Sequence, residues 1–409
     1  MDITAGKTTS RLQTFIREMT GERLYLAALL LYITEQSLQT TMWELPWQPL
    51  VLIRYAAVLL VAVKILFYDD HSIMDILLLG GFIITGVMIK RASNEMLPLF
   101  YLLFLYGARK VDFNKILKIW LICSVTVVGL TIIGAYGETV IDLAYKSTGY
   151  LRVANEDEKI IRHSMGIIFP TDFSAHLFGI MMVSMYLLKD RIRIWHCILA
   201  LIFTYWVYHI SYARNNAICM SLLCLGYMGV IICRYFRSPL DRKYVPDRGV
   251  PALFLFAMPI CALVSFAMDS RYDEEKHGGL WTLLNKWLST RLNLGKKGLT
   301  LYPPNLFGHY IEMQGAGKTT NYDYSKYFFL DCSYLYTGLR TGMVFLFIIL
   351  ASSVAACYRR RRDRFFILSI MAISLFGIAE HHIDALEYMP MLLGTFAAVG
   401  GAASSSERP

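Results

Sequence analysis

Apolar residues come in blocks of roughly 18 to 24, the length an α-helix needs to cross about 30 Å of hydrocarbon at 1.5 Å per residue. The blocks predict helical spans over 24–40, 48–67, 72–89, 95–108, 115–136, 166–188, 192–211, 215–235, 250–268, 331–357, 365–381 and 385–401. The fourth is short, as a tilted or partly inserted helix would be, and the last two are joined by almost nothing. The expected fold class is all-α: a polytopic membrane helix bundle of about twelve transmembrane helices, filling 1–409 as one integral membrane domain. No fixed-period repeat or low-complexity tract interrupts it, and half-to-half symmetry of the transporter kind is not evident.

Two polar segments stand between the blocks, 137–165 and the longer 269–330. Loops of this length usually carry function. Within the second, GLWTLLNKWLSTRL places Leu280, Leu284, Trp287, Leu288 and Leu292 on one helical face, with Trp281 near its edge and Lys286, Ser289 and Asn293 opposite. That pattern predicts a helix over 280–292, lying on the membrane surface or packed over the bundle.

Composition agrees: 56% of residues are hydrophobic, 17% are charged and the mean hydropathy is +0.45. A water-soluble surface needs far more charge. The net charge of +9 is read as the Lys/Arg excess of cytoplasmic loops, with no nucleic-acid partner. YRRRRDR at Tyr358–Arg364 is the strongest anchor. Counting spans from it puts Arg109–Lys115, Lys189–Arg193, Phe236–Arg248 and both termini on the same side, and the two long loops outside. The N-terminal tail is too long and polar before its apolar run to be a cleaved signal peptide. The eight cysteines form no CxxC, so neither a disulfide framework nor a zinc site is indicated.

Two tempting motifs fail. QGAGKTT (Gln314–Thr320) lacks the first glycine of a phosphate-binding loop, since Glu312 holds that position, and AGKTT near the start has Met1 there. AEHHIDALE offers Glu380, His381, His382, Asp384 and Glu387. Adjacent histidines on a helix point apart and no HExxH spacing exists, so no metal is expected.

Ionisable residues within or at the rim of a span are costly unless paired or functional. Four groups qualify, all toward the outer half. In RHSMGIIFPTDFSAH, Arg162 precedes the span, while Asp172 and His176 sit four apart on one helical face with Pro170 loosening the helix. In SYARNNA, Arg214 lies in a very short turn near the headgroup plane, where simple snorkelling is the alternative. PPNLFGHYIEMQG presents His309 in a long loop. In FFLDCSYLYTGLRTG, Asp331 lies at the mouth of a span and Arg340 about 13 Å deeper, with Asp172 or Glu380 as its expected partner. Arginine forks bind phosphate bidentately, so the set suits a lipid-linked diphosphate. Trp281, Trp287, Tyr302, Tyr310, Tyr322 and Tyr324 could stack on sugar rings or act as interface anchors.

In this order, GIIFPTDFSAHLFG, SYARNNAI, NLFGHYIEMQG, YFFLDCSYLYTGLRTG and AEHHI before a Pro-containing span, the chain resembles the Wzy-type polysaccharide polymerases of bacterial capsule, exopolysaccharide and O-antigen loci. The resemblance covers about residues 150–395; the first 150 match only as a set of hydrophobic spans. Each piece is short and apolar-rich, and their order carries the specificity. Phe169-Pro170-Thr171 stands where relatives often have His-Pro-Asn, and Met389-Pro390 where they have Asn-Pro, so no role of those missing residues transfers.

The resemblance implies a bundle similar to GT-C-like membrane glycosyltransferases and O-antigen ligases. It implies block transfer of a glycan from undecaprenyl diphosphate to a lipid-linked repeat unit on the outer face of the cytoplasmic membrane, without a cofactor. A flippase and a chain-length regulator are the implied protein partners. Arg214 corresponds to the family's outer-turn arginine and His309 to its large-loop histidine. Transfer needs a base and a stabilised leaving group. The expected diphosphate ligands are Arg214 and Arg162, with Arg152 and Arg291. The expected base is His309, then Asp331 or Glu380, while Arg340 with Asp172 shapes the cavity floor and His176 lies beside them. A ligase with the same donor, a flippase or other transporter, and a non-catalytic assembly partner are the rival readings.

Overall fold

A backbone in hydrocarbon must satisfy its own N–H and C=O groups, so apolar blocks of this length fold as helices. The structure, a computed structural model, describes residues 2–147, 160–236, 251–273, 279–319 and 326–399. Its helices are α1 (Asp2–Gln39), α2 (Trp47–Val63, running on as a π turn over Lys64–Tyr68), α3 (Ile73–Ser93), α4 (Leu97–Gly107) and α5 (Phe113–Tyr136). After a two-stranded hairpin come α6 (Pro170–Leu187), α7 (Ile194–Ser211), α8 (Arg214–Phe236) and α9 (Ala257–Arg271). The last group is α10 (Leu280–Trp287), α11 (Arg291–Leu301), α12 (Ser333–Tyr336), α13 (Met343–Arg359) and α14 (Arg364–Phe376). Six helical stretches are long and apolar enough to cross a membrane, and α4, α13 and α14 are shorter apolar helices. The fold is thus an all-α membrane bundle.

Helix starts follow local capping chemistry. Ser72 and Asp75 form a capping box on α3, Asp112 accepts from the Asn114 amide at 2.7 Å and the Lys115 amide at 3.3 Å, and Asp363 accepts from the Phe366 amide at 3.2 Å. The bundle has two distinct ends. One, here the basic end, gathers Lys189 and Arg359 to Arg362 around Asp363. The other, the loop end, carries the α7–α8 turn and the described residues of the segments 137–169 and 272–332.

The structure departs from the sequence expectation in four places. The span expected over 331–357 is broken. Ser333–Thr341 forms one α turn and one π turn, and Gly342 at φ 98 separates it from α13. The loop 305–309 repairs the broken ladder: the Met343 amide donates to Asn305 O at 2.9 Å, the Val344 amide to Leu306 O at 3.1 Å, and the His309 amide to Leu339 O at 3.0 Å. The approach requires glycine, since a Cβ on Gly308 (φ +81) would lie 2.1 Å from Arg340 O. Gly308→Ala is expected to destabilise by about 2 kcal/mol, read as a lowered thermal midpoint in detergent. Gly80→Ala in α3, where nothing lies within 4 Å of the added Cβ, is the control and should leave the midpoint unchanged or raised.

Second, the described part of the block expected over 385–401, residues 385–399, is not an α-helix. Turns lead to a 3₁₀ segment at Pro390–Thr395. Pro390 has no N–H and disfavours a helical conformation at Met389, which sits at φ −130, ψ 79. The irregular backbone is enclosed by protein, with Met389, Met391, Leu392 and Leu393 at 0% exposure, which is where non-helical chain is tolerated. Trp120 Nε1 donates to Leu386 O at 2.7 Å, Arg359 to Thr395 O, and the Ala398 amide to Val111 O at 2.8 Å. Consistent with this, α14 stops at Phe376 rather than at 381.

Third, the helix expected over 280–292 is two helices, α10 and α11, separated at Ser289 (φ 56) and Thr290 (φ 66). Trp287 is 65% exposed while Leu292, now in α11, is buried at 3%. Fourth, the segment 137–165 holds a hairpin, β1 (Ala144–Ser147) antiparallel to β2 (Ile160–His163), with Ala144 opposite His163. Asp142 secures its base, accepting from the Met165 amide at 2.7 Å and lying 2.7 Å from His163 Nδ1.

Candidate active site

A cavity of about 560 Å³ opens at the loop end, lined by Arg162, Arg214, Arg291, Asp331 and Glu380 together with Phe169, Tyr212, Trp287 and Tyr327. Five separate pieces of chain deliver the charged groups, and each is held by local chemistry. The α7–α8 turn is two residues long, with Tyr212 in the left-handed region (φ 49). Asn215 Nδ2 donates to Phe376 O at 3.2 Å and Asn216 Nδ2 to Thr171 O at 3.0 Å, which clamps the start of α8 against its neighbours. Arg214 is the first residue of α8; its Nη2 donates to Ser289 Oγ at 3.0 Å, and among the described residues it forms no ion pair. Arg162 leaves β2 and donates from Nε to Ser211 O at 2.9 Å, its guanidinium 5.6 Å from the centre of the Phe169 ring.

Arg291, at the start of α11, bridges two carboxylates. Its Nε is 3.2 Å from Asp331 Oδ2 and its Nη2 is 3.4 Å from Glu380 Oε1. The Arg291, Asp331 and Glu380 side chains are only 15%, 19% and 2% exposed. Glu380 lies beyond the end of α14, and Ser333 Oγ donates to its carbonyl. Its second carboxylate oxygen, Oε2, is buried without a hydrogen-bond partner. Burial pushes the Glu380 carboxyl up to about 8; Arg291 opposes the rise and the neighbouring Asp331 adds to it. Asp331 is also held above its ordinary value by burial, with Arg291 pulling it back.

A second, smaller cavity of about 210 Å³ adjoins the 381–388 segment and includes Arg340 and Asp172. The expected pairing of Arg340 with Asp172 or Glu380 does not form. Arg340 instead donates to Glu95 and to the Tyr336 hydroxyl. Glu95 was missed, although an acid in the short link before an apolar block carries the same signal as the residues singled out. Nor do Asp172 and His176 bond to each other, despite sharing a helix. His176 Nε2 lies 2.8 Å from Thr40 Oγ1 and its ring stacks on Tyr388 at 4.1 Å, whereas Asp172 Oδ1 lies 3.2 Å from His382 Nε2. A buried Glu35–Arg54 pair at 2.8 Å, between α1 and α2, also escaped the sequence reading.

His309 does not line either cavity. Its Nε2 is tied to Pro303 O at 2.7 Å, and its ring is 6.1 Å from that of Tyr302. Arg152, Tyr322 and Tyr324 lie outside the described residues. His381 and His382 sit in a turn after α14 rather than on a helix, so the argument that adjacent histidines must diverge does not apply; their ring centres are 4.0 Å apart.

The apolar helices, six stretches of them long enough to cross a membrane, define a helical membrane protein. No protein-family model, no curated protein and no solved structure matches this chain.

Proposed function

We propose that the chain is a membrane glycosyltransferase that passes a growing glycan from undecaprenyl diphosphate to a lipid-linked oligosaccharide. In this reading the loop end faces the outside of a bacterial cytoplasmic membrane, the chain crosses that membrane many times, and both termini are cytoplasmic. The observation that carries the reading is the convergence of Arg162, Arg214 and Arg291 with Asp331 and Glu380 on one cavity. Arginine forks match diphosphate oxygens, and a buried carboxylate beside them can take a proton.

Arg214 and Arg162 hold the donor diphosphate. An acceptor hydroxyl oxygen attacks the anomeric carbon, the bond from that carbon to the phosphate oxygen breaks, and the new charge on the leaving diphosphate is met by the two guanidinium groups. The hydroxyl proton passes to Glu380 Oε2, the oxygen without a hydrogen-bond partner. Glu380 thus replaces His309 as the proposed base, because it lines the cavity and its acidity is tuned near neutrality, at about 8. Arg291 positions Glu380 and Asp331. Trp287, Tyr212 and Tyr327 present aromatic surface on the same cavity to the sugars.

The test is reconstitution of the pure protein in liposomes with lipid-diphosphate oligosaccharide already on the accessible leaflet. The wild type should form polymer without translocation, which a flippase would not do. Arg214→Ala should lower the initial rate by about 10²- to 10³-fold, and Arg214→Lys should restore only part of it, since an ammonium cannot form the fork. Polymer at the wild-type rate from Arg214→Ala would refute the assignment. Transfer of one block to a different acceptor, with no chain growth, would identify a ligase built on the same donor site.

A further inference from the structure

Beside the arginine-lined cavity lies a cluster that the glycan-transfer reading does not use. Asp172, His381 and His382 each offer one ligand atom, and these atoms lie within 4.8 Å of one another. We propose that these three side chains bind one divalent first-row transition-metal ion of the zinc type.

Three observations carry the site. The first is the contact between His382 Nε2 and Asp172 Oδ1. The atoms are 3.2 Å apart, yet His382 Nε2 is buried and makes no hydrogen bond. Two atoms each about 2.0 to 2.1 Å from one tetrahedral ion lie about 3.3 Å apart, so this spacing without hydrogen-bond alignment is what two ligands of one ion present. His381 Nδ1 is likewise buried without a partner.

The second is ring orientation. His382 stacks on Tyr388 with centres 4.0 Å apart, and Tyr388 in turn stacks on His176 at 4.1 Å. A ligand whose ring is already fixed loses little freedom on binding. The third is charge and access. The three residues border the 210 Å³ cavity, whose wall also holds Glu95, Asp384 and Glu387 against the single guanidinium of Arg340. Four carboxylates, counting Asp172, favour a cation there. Two imidazoles and one carboxylate are a donor set suited to zinc, cobalt and their neighbours, and three protein ligands leave a coordination position open toward the cavity.

Binding is measured with Co²⁺ itself, on full-length protein purified in detergent through a tag free of histidine and stripped with a chelator. The expected result is about one equivalent of Co²⁺ per chain with visible d–d absorption, displaced by Zn²⁺ as the Irving–Williams order requires. His381→Gln and Asp172→Asn should each weaken Co²⁺ binding about tenfold or more. Both keep a polar side chain of similar size, and monodispersity on gel filtration shows that they fold. Less than about a tenth of an equivalent at saturating Co²⁺, or unchanged binding in both variants, overturns the site. Neither measurement depends on glycan transfer, so its failure is separate from that of the proposed function.

Discussion

Glu380→Gln is expected to lower the rate of polymer formation by about 10²- to 10⁴-fold while leaving the protein folded. Glutamine matches glutamate in size and still fills the space beside Arg291, whose other carboxylate, Asp331, remains 3.2 Å away. What disappears is the ability to take a proton. The pH profile separates this from a structural effect. A base must be ionised to act, and burial holds the Glu380 carboxyl at about 8. The wild-type rate should therefore rise with pH, on a limb centred near that value, and be small where the group is protonated. Glu380→Gln should lose the limb as well as the rate. Initial rates in proteoliposomes from about pH 6 to about pH 9 report both. A variant that keeps the limb, whatever its rate, would assign the base elsewhere.

The second large effect is expected at Arg291. Its guanidinium is the only cation within ion-pair distance of Glu380 and Asp331 among the described residues. Removing one partner of a buried ion pair leaves uncompensated charge, at a cost of about 3 to 5 kcal/mol. Arg291→Ala should therefore lower the thermal midpoint in detergent substantially at neutral to alkaline pH. The sign of the pH dependence is fixed by the carboxylates. Without Arg291 both are harder to ionise, so the penalty should shrink as pH falls and they are protonated. Arg291→Met combined with Asp331→Asn and Glu380→Gln should recover most of the midpoint while remaining inactive, because no buried charge is left unpaired. A midpoint for Arg291→Ala equal to wild type at alkaline pH would mean that water already solvates this trio.

In the proposed function, the opposed behaviour of Arg214 and Arg291 is what leaves positive charge for the donor diphosphate. Arg291 is neutralised by Asp331 and Glu380, whereas Arg214, among the described residues, donates only to the Ser289 hydroxyl. Charge available to a ligand comes from the second kind. In a low-dielectric setting the difference is large, since each unit charge interacts far more strongly there than in water.

Several features were legible from one sequence. The blocks at 115–136, 192–211 and 215–235 fold as α5, α7 and α8 within a few residues, because transfer of a long apolar run into hydrocarbon depends on composition alone. Arg162, Arg214 and Asp331 stand out as charges at the ends of such runs, Arg291 as a further expected diphosphate ligand and Glu380 as an expected alternative base, and all five line one cavity. The errors share a cause as well. Gly342 breaks the span expected over 331–357, and Pro390 helps to keep 385–401 from forming a helix; a hydropathy window averages over both residues. His309 looked well placed in a loop, but its ring is tied to Pro303 O away from the cavity.

The sequence by itself determined that this chain is a helical membrane protein with its ionisable residues gathered at the ends of apolar runs, since burial of apolar surface and the cost of intramembrane charge are properties of residue type and spacing. Only the tertiary structure decided which charges meet. Arg340 took Glu95 rather than Asp172, Asp172 approached His382 rather than His176, and Glu380 kept one oxygen unpartnered. Those choices turn on distances of about 3 Å between residues far apart in the chain. No periodicity along the chain encodes them, because each depends on where packing sets the neighbouring helices.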